Sequence, residues 1–182
     1  MNKIFHLVMI SCMILIISCS DQSGKNQKKN DNQKNIQITD TLIHAYTFGM
    51  SKEKFFELSW KYNSDGILIN GSGAEIVENV DWLKAPAKRS FYPNFVDNKI
   101  VQFPIIYSYK GWAPWNTHLS ADSLLQHLIP ILSEEYDVVF EPLSKEIDNK
   151  IYVGRINNSE IELTVKSNFE VVVTFTDVTN FY

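Results

Sequence analysis

Hydrophobic and polar residues divide this chain into three segments. Residues 4–17 are largely apolar, residues 20–38 contain almost no apolar side chain, and residues 39–182 alternate apolar and polar positions with the spacings of helices and strands. We therefore expect one folded domain at 39–182. Its length lies in the usual range for a single domain with one core.

The first helix is predicted to begin after a strand at residues 43–48. Ser51 is a suitable N-cap, because a serine hydroxyl accepts a hydrogen bond from an otherwise unpaired backbone amide. The helix is expected to run to about Tyr62 and to end at Gly66, which can take a left-handed conformation. One face has helical spacing and is rich in aromatic rings: Phe55, Phe56, Ser59, Trp60 and Asn63. We expect this face to pack against a sheet.

The second helix is predicted to begin after Ser120, which is again a suitable cap. Its apolar positions repeat at the spacing of a buried helix face: Leu124, Leu125, Leu128, Ile129 and Leu132. Pro130 lies within this pattern and has no backbone N–H to donate. We therefore expect a kink or a break at this position.

Strands are predicted where β-branched and aromatic residues lie between turn-forming residues. Residues 66–69 and 75–80 are expected to form a hairpin, and residues 81–99 to be mostly a loop. Residues 100–109 are predicted to be a strand. Because proline cannot donate to a strand ladder, Pro104 indicates that this strand lies at a sheet edge or carries a bulge.

The last third of the chain is predicted to be an antiparallel meander with one solvent-facing side. Its strands are expected at 137–141, 150–156, 160–165 and 170–176. A capped helix followed by strands thus occurs twice, and the predicted fold class is α+β, with an antiparallel sheet or sheets packed by two helices. Two arrangements are open: a tandem α-β-β-β repeat, and a single sheet with both helices on one face.

The apolar segment near the N-terminus has the features of a secretory signal. It follows a basic start at Lys3, is too short to cross a bilayer as a helix, and ends at a small residue before a cysteine. Residues 16–19, Ile-Ile-Ser-Cys, resemble the lipobox of bacterial lipoproteins. This resemblance implies that residues 1–18 are removed as a signal peptide and that Cys19, the first residue of the mature chain, is acylated.

Composition narrows the classes of function. Residues 19–38 are interpreted as the lipidated cysteine and a flexible polar tether, because such a segment cannot bury enough apolar surface to offset its ordering entropy. The domain at 39–182 contains 12 Lys and Arg against 19 Asp and Glu, a formal charge of −7. Because the domain is acidic and has no stripe of basic residues, nucleic acid is not an expected partner. After cleavage, Cys19 is the only cysteine, which excludes disulfides and cysteine nucleophiles.

The start of the domain resembles a family of small outer-membrane assembly lipoproteins, the SmpA/OmlA-type domain. In that family a Gly-Met-Thr-like turn opens the first helix, and Gly49, Met50 and Ser51 match it here. The Leu-Gly-x-Pro ending of the family is absent, and this chain is longer than one such domain. A tandem version would be similar, in element order, to the β-lactamase inhibitory protein architecture.

Candidate catalytic and metal-binding residues are few. The histidines of the mature chain, His44, His118 and His127, have no metal-pair spacing. Ser51 and Lys54 match the S-x-x-K spacing of penicillin-recognising enzymes. The S-D-N and K-T-G motifs of those enzymes are missing, so helix capping is the better interpretation. We predict no catalytic residue, no metal site and no cofactor.

Residues 107–116 are the most unusual segment, with two tryptophans around a proline next to two tyrosines. Trp and Tyr combine a large contact area with a polar group, which suits them to binding surfaces. We therefore predict a binding site at Tyr109, Trp112 and Trp115. In the alternative interpretation, the same rings fold over the core as a plug.

Together these features favour a non-enzymatic lipoprotein of the cell envelope, held by acylated Cys19 at the outer membrane in preference to the inner membrane. The expected ligand is a protein or a glycan, bound through the sheet face or the loop at 112–115. Two alternatives are open. One is a periplasm-facing enzyme inhibitor or immunity protein, suggested by the acidic domain, and the other is a hydrolase with a site that the sequence does not reveal.

Overall fold

The computed structural model of the protein describes residues 41–143 and 150–180. The predicted signal peptide, Cys19 and the tether lie outside the described residues. The two α-helices are α1, Lys52–Ser64, and α2, Ala121–Tyr136. In the described part of the chain, no helix is both long and apolar enough to cross a membrane. The strands are Leu68–Asn70 (β1), Ile76–Val80 (β2), Ala87–Phe91 (β3), Asn94–Val96 (β4), Lys99–Tyr109 (β5), Glu141–Pro142 (β6), Ile151–Ile156 (β7), Ser159–Val165 (β8) and Val171–Asp177 (β9).

All of these strands belong to one open antiparallel sheet, which confirms the predicted α+β class. The strand order is β1-β2-β3-β5-β9-β8-β7-β6, and β4 pairs with β5. Each half of the chain contributes a helix followed by antiparallel strands. The halves join where β5 pairs with β9, so the repeated element order builds a single sheet rather than two.

Both helices lie on the same face of the sheet. On this face Phe103 of β5 is directly opposite Phe175 of β9. Helix α1 reaches Phe103 through Phe55, with ring centroids 6.5 Å apart. Helix α2 reaches Phe175 through its last residue, Tyr136, with ring centroids 5.1 Å apart. The main hydrophobic core therefore lies between the helices and this face. Residues on the other face are more polar, as expected for a solvent-facing side; they include Gln102, Glu160, Glu162, Thr174 and Thr176.

Helix α1 has the predicted cap and part of the predicted buried face. Ser51 Oγ accepts a hydrogen bond from the backbone N–H of Lys54 at 3.3 Å. Phe55 is fully buried, whereas Phe56 is 45% and Trp60 is 72% exposed. Each residue is rotated by about 100° from the one before it on a helix, so a sheet that covers Phe55 leaves Phe56 to one side.

Residues 43–48 form a turn, and the predicted strand at this position is wrong. The backbone N–H of Leu42 donates to the Tyr46 carbonyl at 2.9 Å, and the Tyr46 N–H donates to the Ile43 carbonyl at 3.0 Å. Tyr46 is fully buried, and its hydroxyl lies 2.8 Å from Ser59 Oγ on α1. The apolar residues of this segment therefore reflect a turn that packs into the core, and its pairing is limited to an isolated bridge between Thr41 and Thr47.

Two predictions for the middle of the chain are corrected. Residues 81–99 contain β3 and β4 and are not mostly a loop. Pro104 is not at a sheet edge, because β5 lies between β3 and β9, but the alternative of an irregular strand fits better, since the register of β5 with β4 shifts between Asn94 and Phe95. On one side of β5 the pairing partner changes from β3 at Ile105 to β4 at Gln102. Pro104 is tolerated inside the sheet because it lies where this ladder is interrupted.

Helix α2 begins at the predicted cap, with Ser120 Oγ accepting a hydrogen bond from the Ser123 N–H at 3.4 Å. Leu124, Leu125, Leu128 and Leu132 are buried as expected, and Ile129 is half-buried. We predicted a kink or a break at Pro130. The helix does not break there, because α2 continues to Tyr136. Pro130 is exposed. On the solvent side, a single missing backbone bond is tolerated more easily than in the core.

The predicted strand at 137–141 is reduced to the two residues of β6. Asp137 ends α2 in the left-handed region, with φ of 52°, and turns the chain away from the helix axis. The other three strands of the C-terminal meander are present within one residue of their predicted ends.

A charged cluster is enclosed on the helix-covered face. Arg89 is 8% exposed, and its Nε and Nη2 atoms each lie 2.8 Å from Glu78 Oε2, while Nη1 lies 3.4 Å from the Tyr107 hydroxyl. Burial opposes the charge of Glu78, but the hydrogen bond with His44 and the Arg89 guanidinium hold the pKa of the carboxyl below its usual value. Opposite charges in direct contact are the arrangement that allows both to be buried.

Candidate functional site

A groove of about 540 Å³ lies between the aromatic segment, the start of α2 and the neighbouring strands. We call it the aromatic groove. Its lining residues are Trp112, Pro114, Thr117, Ser120, Ala121, Asp122, Lys150, Ile151, Thr164, Val165, Ser167 and Asn168. The volume is in the range of pockets that hold small ligands, roughly 300–1,000 Å³.

Backbone hydrogen bonds hold the loop that carries the tryptophans. The Lys110 N–H donates to the Pro86 carbonyl at 2.8 Å, and Gly111 has a φ of 75°, which glycine adopts without steric cost. The Asn116 N–H donates to the Ala113 carbonyl at 2.8 Å, and the Asn116 side chain donates to the Gly111 carbonyl at 3.2 Å. The loop is thus ordered before any ligand arrives, which lowers the entropic cost of binding.

One part of the groove lining, which we call the ring wall, is the Trp112 ring supported by Phe169. Trp112 packs on Phe169 in a tilted arrangement with ring centroids 5.0 Å apart, and Phe169 is 38% exposed. Trp115 lies on the same loop, between the lining residues Pro114 and Thr117, and is 82% exposed. Most of the Trp115 ring is in contact with water, and exposed aromatic side chains next to a groove mark candidate binding surfaces.

The rest of the groove lining is mostly polar, and we call it the polar wall. Lys150 Nζ and Asp122 Oδ2 form an ion pair at 2.5 Å, with side chains 47% and 53% exposed. The Ala121 N–H donates to the Asn168 carbonyl at 2.9 Å, which ties the start of α2 to the β8–β9 turn. The Asn168 amide and the Thr117 hydroxyl form no hydrogen bond within the described residues, so both groups are available to a ligand.

The structure separates the three predicted binding residues. Trp112 lines the aromatic groove and Trp115 lies beside it on the exposed loop, while Tyr109 is elsewhere. Tyr109 is 4% exposed, and its hydroxyl lies 2.5 Å from His127 Nδ1. Its ring belongs to the core and is not available at the groove. The alternative interpretation, in which the rings fold over the core as a plug, fits Trp112, because this half-buried ring packs against the core. It does not fit Trp115, which is mostly exposed.

The polar wall was not identified as a site from the sequence. Asp122, Lys150 and Asn168 are far apart in the chain, and none carries a local motif. They meet because the start of α2 bonds to the β8–β9 turn and because β7 pairs with β8. Only the pairing of strands, which local spacing does not encode, brings these side chains to one groove.

Other candidate chemistry is not assembled into a site. Ser51 caps α1, and Lys54 Nζ forms bonds of 3.0 Å to both carboxylate oxygens of Glu57, so this pair has a structural explanation. His118 is exposed in a short 3-10 helix, Thr117–Leu119. Within residues 41–143 and 150–180, no group of three or more His, Cys, Asp or Glu side chains is arranged to hold a metal ion.

Comparison with known proteins gives no relative from which a role can be transferred. No family model matches the chain, and no curated protein and no solved structure is significantly similar to it. The resemblances to the lipobox and to the SmpA/OmlA-type domain stay predictions. The aromatic groove is therefore interpreted from its own geometry and chemistry.

Proposed function

We propose that this protein is a non-enzymatic lipoprotein of the cell envelope that binds an envelope component in the aromatic groove. The observation that carries the proposal is a preformed groove lined by Trp112, which packs on Phe169, on a loop that also carries the exposed Trp115 between the lining residues Pro114 and Thr117. A ring that is exposed on an ordered loop next to a concave surface is typical of a binding site. The acylated cysteine and the tether would hold the groove at the outer membrane.

The membrane anchor is tested by replacing the cysteine of the lipobox. We expect the Cys19→Ser variant to lose acyl-chain labelling and to leave the membrane fraction, because a serine cannot form the thioether that carries the lipid. The measurement is fractionation of cells grown with an alkyne-labelled fatty acid. Cys12→Ser is the matched control, since Cys12 lies inside the predicted signal peptide and should not matter. Membrane retention of a labelled Cys19→Ser chain would contradict the anchor.

The groove is tested by photocrosslinking in intact cells from a position on its wall. Thr117, which is exposed and lines the groove, is replaced by p-benzoylphenylalanine, and the exposed turn residue Asn158 receives the same group as the control position. We expect a defined adduct from position 117 and none from position 158. The adduct should decrease at least about tenfold when Trp115→Ala is added, because binding-site tryptophans often contribute more than 1 kcal/mol.

Trp115 is suited to this test because it is mostly exposed, so its replacement should not unfold the domain. Circular dichroism and the unfolding midpoint of the variant verify this point. The same adducts from positions 117 and 158, or an adduct that Trp115→Ala leaves unchanged, would contradict a binding function for the groove.

A further inference from the structure

We propose that the ligand of the aromatic groove is an uncharged oligosaccharide. This inference rests on the proposed function and specifies the chemistry of the ligand. The ring wall and the polar wall of the groove match the two kinds of group that a sugar presents, its C–H faces and its hydroxyls. Aromatic rings meet its C–H faces, and amides, hydroxyls and charged groups meet its hydroxyls.

The ring wall fits the apolar face of a pyranose. Trp112 packs on Phe169 at an interplanar angle of 35°, and this contact holds the Trp112 ring in place at the groove. A flat ring favours partners that present weakly positive C–H groups to its electron-rich face. The exposed Trp115 lies three residues further along the loop, and it would extend the platform beyond one sugar unit.

The polar wall fits hydroxyl groups. The Asn168 amide has two donors and an acceptor, and the Thr117 hydroxyl can both donate and accept, which matches the mixed character of sugar hydroxyls. Neither side chain has a hydrogen bond within the described part of the chain, so neither must break one to bind. Small-ligand pockets usually combine apolar lining with a few such polar groups.

The charge of the groove indicates an uncharged ligand. Among the described lining residues, the charged side chains are Asp122 and Lys150, and they neutralise each other at 2.5 Å. An anionic glycan would need an uncompensated cation, and it would meet a domain of formal charge −7. A cationic ligand would have to compete with Lys150 for Asp122.

Size favours a short saccharide over a folded protein partner. A stable protein interface buries about 800 Å² on each partner, with a contiguous apolar centre. Here the concave region is about 540 Å³, and polar residues outnumber apolar residues in its lining. A saccharide fills such a groove with several hydroxyl contacts, whereas a protein surface would reach it only through a protruding segment.

The test is isothermal titration of the full-length lipoprotein, held in a zwitterionic detergent without sugar groups, against defined oligosaccharides. The neutral probes are hexasaccharides of α-1,4-glucose, β-1,4-glucose, β-1,4-xylose and β-1,4-N-acetylglucosamine, and the charged probes are hexagalacturonate and heparin hexasaccharide. We expect at least one neutral probe to bind with a Kd of about 1 mM or tighter. Its affinity should not change between 50 and 500 mM NaCl, because screening acts on charged ligands.

Matched variants locate the binding. Trp115→Ala and Asn168→Ala should each weaken binding of the neutral probe by about tenfold or more. Trp60→Ala is the control, since this tryptophan is 72% exposed but lies on α1, outside the groove. Stronger and salt-sensitive binding of a charged probe, or no binding of any neutral probe, would overturn the saccharide assignment.

The crosslinking experiment separates this failure from failure of the proposed function. A position-117 adduct that proteases digest, together with no neutral-sugar binding, would leave a binding groove whose ligand is a protein. Absence of any groove-specific adduct, together with no binding of any probe, would reject both the proposed function and its ligand.

Discussion

Replacement of Arg89 by alanine is expected to lower the free energy of unfolding by about 3–5 kcal/mol, the usual cost of removing one partner of a buried ion pair. Glu78 would keep its charge in a site where its side chain is 13% exposed. It would lose contacts of 2.8 Å from two guanidinium nitrogens, and the Tyr107 hydroxyl would lose its contact at 3.4 Å. Glu78 would retain only the hydrogen bond with His44 at 2.8 Å, and the cost of burying a carboxylate with fewer partners weakens the native state.

Urea unfolding at pH 7, followed by circular dichroism, measures this difference. Arg155→Ala is the matched control, because Arg155 also pairs with a carboxylate, Glu160, at 2.7 Å, but its side chain is 76% exposed. Exposed pairs contribute about 0–1 kcal/mol, so the control should unfold close to the wild type. Equal effects of the two replacements would show that burial of the Arg89 pair is not the source of its stability.

Phe55→Ala is expected to have a similar effect, about 3–5 kcal/mol of destabilisation, which is typical for removing a buried phenylalanine. Phe55 is fully buried and joins α1 to the turn and to the sheet. Its ring lies 5.1 Å from Tyr46, 5.8 Å from Phe95 and 6.5 Å from Phe103, measured between centroids. The cavity left by alanine would remove contacts of α1 with both the turn at 43–48 and the sheet.

The neighbouring Phe56→Ala variant provides the control for this prediction. The two residues are of the same type and on the same helix, but Phe56 is 45% exposed and its closest ring contacts are Phe55 and Tyr92. We expect a loss of about 1 kcal/mol or less, in proportion to the smaller buried area. Thermal unfolding of both variants decides the point, and a larger effect for Phe56→Ala would show that α1 presents the other side to the core.

The difference between Phe55 and Phe56 shows a limit of prediction from the sequence. The spacing of aromatic residues in α1 identified a helix and an apolar face, but it treated Phe55 and Phe56 alike. Only the position of the helix on the sheet distinguishes them. The same limit applies to Tyr109 and Trp115, which belong to one aromatic segment. Tyr109 ends a strand and points into the core, whereas Trp115 lies on a loop whose hydrogen bonds hold it away from the core.

The sequence by itself determined the features that depend on neighbours a few residues apart. The serine caps of both helices, the buried leucines of α2 and the hairpins of the C-terminal meander follow from local hydrogen bonds and from periodicity, and the structure confirms them. The turn at 43–48 was missed because a short apolar run has the same pattern whether it pairs as a strand or packs as a turn.

The tertiary structure decided what depends on residues that are distant in the chain. Pairing of β5 with β9 makes one sheet from two similar halves, and it allows Pro104 inside that sheet because the neighbouring partner changes there. The hydrogen bond between Ala121 and Asn168 joins the start of α2 to the β8–β9 turn, and both line the groove together with Trp112. Such contacts arise from the packing of whole elements, and no local pattern of residues encodes them.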